Sequence, residues 1–280
     1  MNLHNPKADI FVPDGLPLDQ ALARTTHLAI GAHQDDLEIM AADGILQCFQ
    51  RSERWFTGIV VTDGAGSPRA DLYRDLTDEA MRQVRASEQR KAAVVGEYAA
   101  VVQLGYPSAA AKDRADDRPV EDLGRLLQAV RPEVVYTHNL ADKHPTHVGV
   151  ALKAIAALRT LPAADRPRQV YGCEVWRSLD WLPEADRVAF DLSGRDGLQL
   201  ALLGVFDSQI SGGKRYDLAT MARRRANATY AESHAVDAAT GVAYAMDLMP
   251  LVEDPTADIT AYTLNHIERF AQSVRALLAP

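Results

Sequence analysis

Short apolar runs alternate with helically spaced stretches along the first part of the chain. Residues 26–33 are apolar in the middle and polar at the end, which predicts a strand closed by a turn. Residues 36–49 then place Leu37, Met40, Ala41, Ile45, Cys48 and Phe49 at helical intervals. A second strand is predicted over 55–62, running into Asp63-Gly-Ala-Gly66, followed by a loop over 67–77 and a long helix over about 78–98. Residues 99–104 give a third strand, 119–130 a helix, 133–137 a fourth strand ending in His138-Asn139, and 145–161 a helix with Val148, Leu152, Ile155 and Leu158 on one side. This alternation predicts an α/β fold, a doubly wound, mostly parallel Rossmann-like sheet.

The flanks are less regular. Residues 1–24 are mixed and Pro-containing and predict an extended arm with one short helical turn. Beyond 165, strands are predicted over 170–176 and 187–192 and helices over 198–206, 217–234 and 258–279, the last with Leu264, Ile267, Ala271, Val274 and Leu278 on one face. No Gly/Ser linker, low-complexity tract or internal repeat divides the chain. One domain over 1–280 is expected, with a core of about 25–165 and a C-terminal α/β elaboration over about 166–280.

Composition narrows the function classes. With 280 residues, 47% of them hydrophobic, the chain can bury a large core. A net charge of −8 argues against nucleic-acid binding and against docking on anionic membranes. No apolar stretch is long enough for a membrane span, and no signal-peptide pattern opens the chain. Cys48 and Cys173 fall in apolar segments and read as buried free thiols, which suits the cytoplasm.

The polar residues gather where the strands end. In an open α/β sheet, ligands bind beyond the carboxyl ends of the strands. His33-Gln-Asp-Asp36 follows the first predicted strand, and His138, then Asp142-Lys-His-Pro-Thr-His147, follow the fourth. In a sheet of order 3-2-1-4-5 these two ends are neighbours. His33 and Asp36 are three apart across a turn, and His144 and His147 are three apart at a helix start, where i and i+3 share a face. Two His and a carboxylate leave one corner open, as in catalytic zinc sites. Asp-Asp before a helix also serves as a plain N-cap, and a single His at a strand end is commonly structural. Both clusters at the ligand-binding end of one sheet are harder to explain that way. Five polar groups exceed three ligands, leaving two for proton transfer.

Those motifs resemble the LmbE/PIG-L family of metal-dependent N-acetylglucosaminyl deacetylases. Ala32-His33-Gln34-Asp35-Asp36 is similar to the family's Ala-His-Pro-Asp-Asp, and His144-Pro145-Thr146-His147 to its His-Pro-Asp-His. Thr62-Asp63-Gly64, Arg85-Ala-Ser-Glu88 and Ser208-Gln209 also look like family elements, and the likeness is best over about 26–160. The resemblance implies that His33, Asp36 and His147 hold Zn2+ or another divalent ion. It makes Asp35 the general base, gives His144 the task of stabilising or protonating the reacting centre, and has Arg85 hold a substrate hydroxyl. The implied reaction is removal of an acyl group from an amide nitrogen of a small N-acyl sugar. Gln34 stands where the family has Pro. Thr146 stands where it has the Asp that would orient the catalytic His, and Asp142 is the available substitute.

Other features read blandly or are absent. The loop over 63–77 borders the site or is ordinary surface. Arg223-Arg-Arg225 reads as a solvated helix face, and His138 and His234 as structurally satisfied. Gly64-Ala-Gly66 is no dinucleotide fingerprint, and neither a Gly-x-Ser-x-Gly elbow nor a phosphate loop is present. Two rival readings stay open. One is a metal-dependent hydratase or other hydrolase acting on a small carboxylic acid. The other is a non-catalytic sugar- or metal-binding member, against which the retained Asp35 counts. Substrate identity and assembly into a homo-oligomer are left open by the sequence.

Overall fold

The computed structural model describes residues 1–279. In chain order its strands are β1 (Asp9–Phe11), β2 (His27–Gly31), β3 (Phe56–Thr62), β4 (Ala100–Tyr106), β5 (Val134–His138), β6 (Gln169–Cys173), β7 (Arg187–Asp191) and β8 (Val242–Asp247). The helices are α1 (Leu18–Ala23), α2 (Asp36–Met40), α3 (Ala42–Cys48), α4 (Asp78–Val95), α5 (Ser108–Lys112), α6 (Arg118–Val130), α7 (Pro145–Arg159), α8 (Asp196–Gly204), α9 (Asp207–Ile210), α10 (Tyr216–Thr229), α11 (Met249–Glu253) and α12 (Ile259–Leu278). Among the described residues, no helix is long and apolar enough to cross a membrane.

All eight strands form one sheet of order β1-β4-β3-β2-β5-β6-β8-β7. The five parallel strands β4-β3-β2-β5-β6 have the 3-2-1-4-5 order that makes the first and fourth strand ends neighbours, and the edges are extended by the antiparallel pairs β1/β4, β6/β8 and β8/β7. Parallel strands are covered on both faces, so their side chains divide between two cores. Leu28 and Ile30 of β2 pack with Ile59, Val102, Leu123, Val135, Ile155 and Leu158 on the side of α6 and α7. Ala29, between them, faces Leu37, Met40, Ile45, Val60, Val101 and Tyr136 on the side of α2 and α3.

Local chemistry marks the helix boundaries. Thr77 caps α4 by accepting the Ala80 N–H at 3.2 Å, with Asp78 and Glu79 in the first turn. Asp258 caps α12 by accepting from Thr260 and Ala261. Pro145 opens α7, where a missing N–H is free of penalty.

Several expectations need revision. The helix expected over 36–49 breaks at Ala41 into α2 and α3. Buried Arg224 donates to the carbonyls of Glu38 and Ile39 at 2.9 and 3.1 Å, the two acceptors a continuous helix would give to residues 42 and 43. Arg224 also donates to Gln199 Oε1 at 2.7 Å, so the arginine run is not simply a solvated face. Arg224→Met should cost about 1–3 kcal/mol, because three buried acceptors lose their donor. Chemical denaturation measures this, and a wild-type midpoint would refute the clamp.

The expected extended arm contains both β1, paired with β4, and α1. Strand β8 was not predicted: its Ala- and Met-rich run, Val-Ala-Tyr-Ala-Met-Asp, lacks the β-branched signature of a strand. The apolar stripe of α12 is largely exposed, with Leu264 at 55% and Leu278 at 79%.

Candidate metal centre and active site

The site lies where β2 and β5 run side by side. Their register pairs Ile30 with Thr137, so the turn after β2 and the segment after β5 leave the sheet together. From this pair the chain continues to β3 on one side and β6 on the other. Such a divergence opens a crevice at the carboxyl ends of the strands.

The turn after β2 is tightly built. The Asp36 carboxylate accepts the His33 backbone N–H at 2.7 Å, and Asp36 N–H returns to the His33 carbonyl at 3.3 Å. Asp35 between them has φ 92°, a left-handed conformation that costs a non-glycine residue free energy and recurs at functional sites. Gln89 accepts the Asp35 N–H at 3.3 Å, and Arg85 donates to the Gln34 carbonyl while its Nη2 stands 3.4 Å from Asp35 Oδ2. Gln34 fills the place of the family's proline with side-chain bonds to the Thr62 carbonyl and Gln103 Oε1, so the turn stays anchored without a ring.

His33, Asp36 and His147 converge. His33 Nδ1 lies 3.3 Å from Asp36 Oδ2 and 3.2 Å from His147 Nε2, and His147 Nε2 lies 3.4 Å from Asp36 Oδ1. Donors about 2.0–2.1 Å from a tetrahedral zinc stand about 3.3–3.4 Å from one another; the two imidazoles approach that spacing, each facing a different oxygen of Asp36, and one donor atom from each of the three residues lies within 4.8 Å of the others, which suits a divalent ion. Burial lowers the His147 pKa to about 4, Asp36 acting in the opposite sense, and the imidazole is neutral and able to ligate at neutral pH. Burial pulls the Asp36 carboxyl up, but His147 and His138 outweigh it and hold the group well below the usual range. A second close group, His138, Asp142 and His147, does not suit a metal. The His138 and His147 rings stack at 3.9 Å with 19° between planes, so their in-plane lone pairs run side by side instead of meeting.

Asp142 serves His147, not His144. Its Oδ2 stands 3.4 Å from His147 Nδ1 and accepts the Trp176 N–H, while Oδ1 accepts the His144 backbone N–H. A carboxylate on the far nitrogen of a ligand His fixes its tautomer and orientation. His144 has no such support: its Nδ1 is buried and unpartnered among the described residues. Its ring stacks on His147 at 4.5 Å and leans on Trp176 at 5.7 Å. Burial and the nearby His33 lower its pKa, so His144 is neutral at neutral pH.

These groups open into a cleft of about 410 Å³ lined by His33, Asp35, Asp36, Arg85, His144 and Thr146. Gly66, Ser67 and Pro68 border it, as expected of the loop over 63–77. Burial raises the Asp35 pKa to about 7, with Arg85 opposing and Asp36 reinforcing the shift. Arg85 is itself buried; its Nε and Nη1 make no hydrogen bond among the described residues, and Nη1 stands 3.9 Å from Glu88 Oε2. The Arg85-x-x-Glu88 and Ser208-Gln209 elements meet: the Glu88 carboxylate accepts Ser208 N–H at 2.7 Å and Oγ–H at 2.6 Å, and Gln209 reaches the cleft.

The sequence reading missed Lys112, Trp176, Lys214 and Tyr216, which also line the cleft. They come from segments without motif spacing, and only the fold brings them in. It also undervalued His138, which is fully buried beside Asp36 and His147, whereas His234 is exposed.

Residues 28–158 match the family model described as GlcNAc-PI de-N-acetylase, PIG-L. No curated protein matches the chain. Among solved structures, the fold is similar to that of 4-carboxy-2-hydroxymuconate hydratase from Pseudomonas putida, with 17% identity and a TM-score of 0.62 over 80% of this chain and 96% of that one. It is also similar to a conserved protein of Thermus thermophilus, at 19% identity and a TM-score of 0.58 over 84% and 99% of the two chains. A third is N,N'-diacetylchitobiose deacetylase from Pyrococcus horikoshii, at 18% identity and a TM-score of 0.59 over 79% and 83%.

Proposed function

We propose that this chain, which belongs over residues 28–158 to the PIG-L family, is a metal-dependent deacetylase acting on an N-acetylglucosamine-type sugar conjugate. The observation that carries the reading is the triangle of His33, Asp36 and His147 with Asp35 beside it, in the cleft and outside the ligand set. Two imidazoles and one carboxylate suit a divalent ion such as zinc.

When bound there, a divalent ion lowers the pKa of water and polarises a carbonyl oxygen. Asp35 takes the proton from the water that attacks the amide carbon and later returns it to the leaving amine. His144, neutral and facing the cleft, donates an N–H hydrogen bond to the oxygen on which charge develops. Arg85, which lines the cleft with hydrogen-bonding capacity unused, holds a sugar hydroxyl, and Trp176 and Tyr216 offer apolar ring surface to the sugar face. Water attack makes a covalent acyl-enzyme unnecessary. The buried free thiols of Cys48 and Cys173 suit a reducing, cytoplasmic setting.

One observation favours a second reading. Lys112 and Lys214 line the same cleft, and no carboxylate among the described residues pairs with either. With Arg85 they would suit the carboxylates of a small unsaturated acid, on which the same base would add water. Acetate release from a panel of N-acetylated amino-sugar conjugates tests the first reading. Loss of the conjugated-acid absorbance without acetate release would select the second.

A further inference from the structure

We infer that His138 is a positioning residue for the metal ligands, an inference that rests on the ligand roles proposed for His33, Asp36 and His147. His138 is the last residue of β5 and is fully buried. Its Nε2 accepts the Ala32 backbone N–H at 2.9 Å. The lone pair of Nε2 is therefore engaged. That leaves His138 unable to act as a ligand through Nε2 without releasing Ala32.

The bond matters because of where Ala32 sits. Strand β2 ends at Gly31, and its pairing with β5 ends at Ile30 and Thr137. Beyond that point no backbone acceptor on β5 is paired with Ala32. The ring of His138 extends the ladder by one step. From the other side, Thr62 donates to the Ala32 carbonyl with its N–H at 2.9 Å and its hydroxyl at 2.7 Å. Ala32 is thus pinned on both flanks, and the residue it delivers next is His33. Without the imidazole, a buried N–H would lack an acceptor, and the turn that carries His33 and Asp36 would rotate to find one.

His138 also touches the other half of the site. Its ring lies flat on His147 at 3.9 Å. One side chain therefore bears on the β2 turn through a hydrogen bond and on the β5 side through a stacked face. His27, another buried histidine, stacks on Tyr136 and is in contact with none of the three ligands. The contrast separates a packing role from this one.

Two variants of the full chain divide the two contacts. His138→Phe keeps a flat ring over His147 and removes the acceptor. His138→Gln keeps an acceptor oxygen for Ala32 and removes the ring. Metal-stripped protein is titrated with Zn2+ against a chromophoric chelator, and the visible spectrum of the Co2+-loaded protein reports ligand geometry. His138→Phe is expected to weaken Zn2+ binding about 10–100-fold and shift the Co2+ bands, whereas His138→Gln stays within about tenfold and keeps the wild-type bands. Wild-type affinity and spectrum in His138→Phe would overturn the inference, as would equal weakening in both variants. Should His138→Phe fail to fold, a folded His138→Gln that has lost the metal overturns it. Unfolding of both by circular dichroism would reduce His138 to a core residue. If the wild-type protein itself binds no Zn2+, the ligand assignment fails first, and the two failures are told apart.

Discussion

Asp35→Asn is expected to lower kcat for acetate release by about 10²–10⁴-fold, the usual worth of a positioned acid–base group, with one metal per chain retained. Asn is nearly isosteric, tolerates the left-handed backbone at φ 92° and can still accept from Arg85, so the turn should survive. What it loses is the ability to take a proton. Metal analysis and circular dichroism on the same sample separate this from collapse of the site. Turnover near the wild-type rate would remove Asp35 from the mechanism.

Chelation should abolish turnover of the wild-type protein, and added Zn2+ should restore it. His147→Ala should resist that restoration. His147 stands at the centre of the array, within 3.4 Å of His33, Asp36 and Asp142. Its removal should weaken metal binding by more than about 100-fold, the upper end for loss of an outer contact. Asp142→Asn removes such an outer contact and should fall within about 10–100-fold. A His147→Ala protein that binds Zn2+ with wild-type affinity would sink the proposed centre.

The fold was legible where one physical signal dominated. Continuous apolar runs at β2, β3 and β5 and the amphipathic spacing of α6 required no tertiary information. The sheet order was not legible in the sequence; 3-2-1-4-5 was only the arrangement in which the residues after β2 and β5 would meet, and the observed sheet has it. Helix α2 was misjudged because its end is set by Arg224, a residue far along the chain that takes two of its carbonyls. Strand β8 was invisible because neighbours on both edges, β6 and β7, make an Ala-rich run into a strand. In the site, motif-borne residues could be read, since chemistry restricts their identity and spacing. Lys112, Trp176 and Tyr216 could not, because any of them would be unremarkable on an isolated helix or loop.

The place of β8 between β6 and β7 bears on how such a catalyst could be reduced in size. The two histidine–aspartate motifs of the site lie before β6, yet β6 pairs with β5 and supplies the far wall of the crevice through the segment ending at Trp176. Cutting the chain after α7 would bare the outer edge of β5, the strand that leads into the histidines, and would strip Gln209 and Tyr216 from the substrate's surroundings. A shortened version would therefore have to keep the late strand as a splint, even though none of its own side chains lines the cleft.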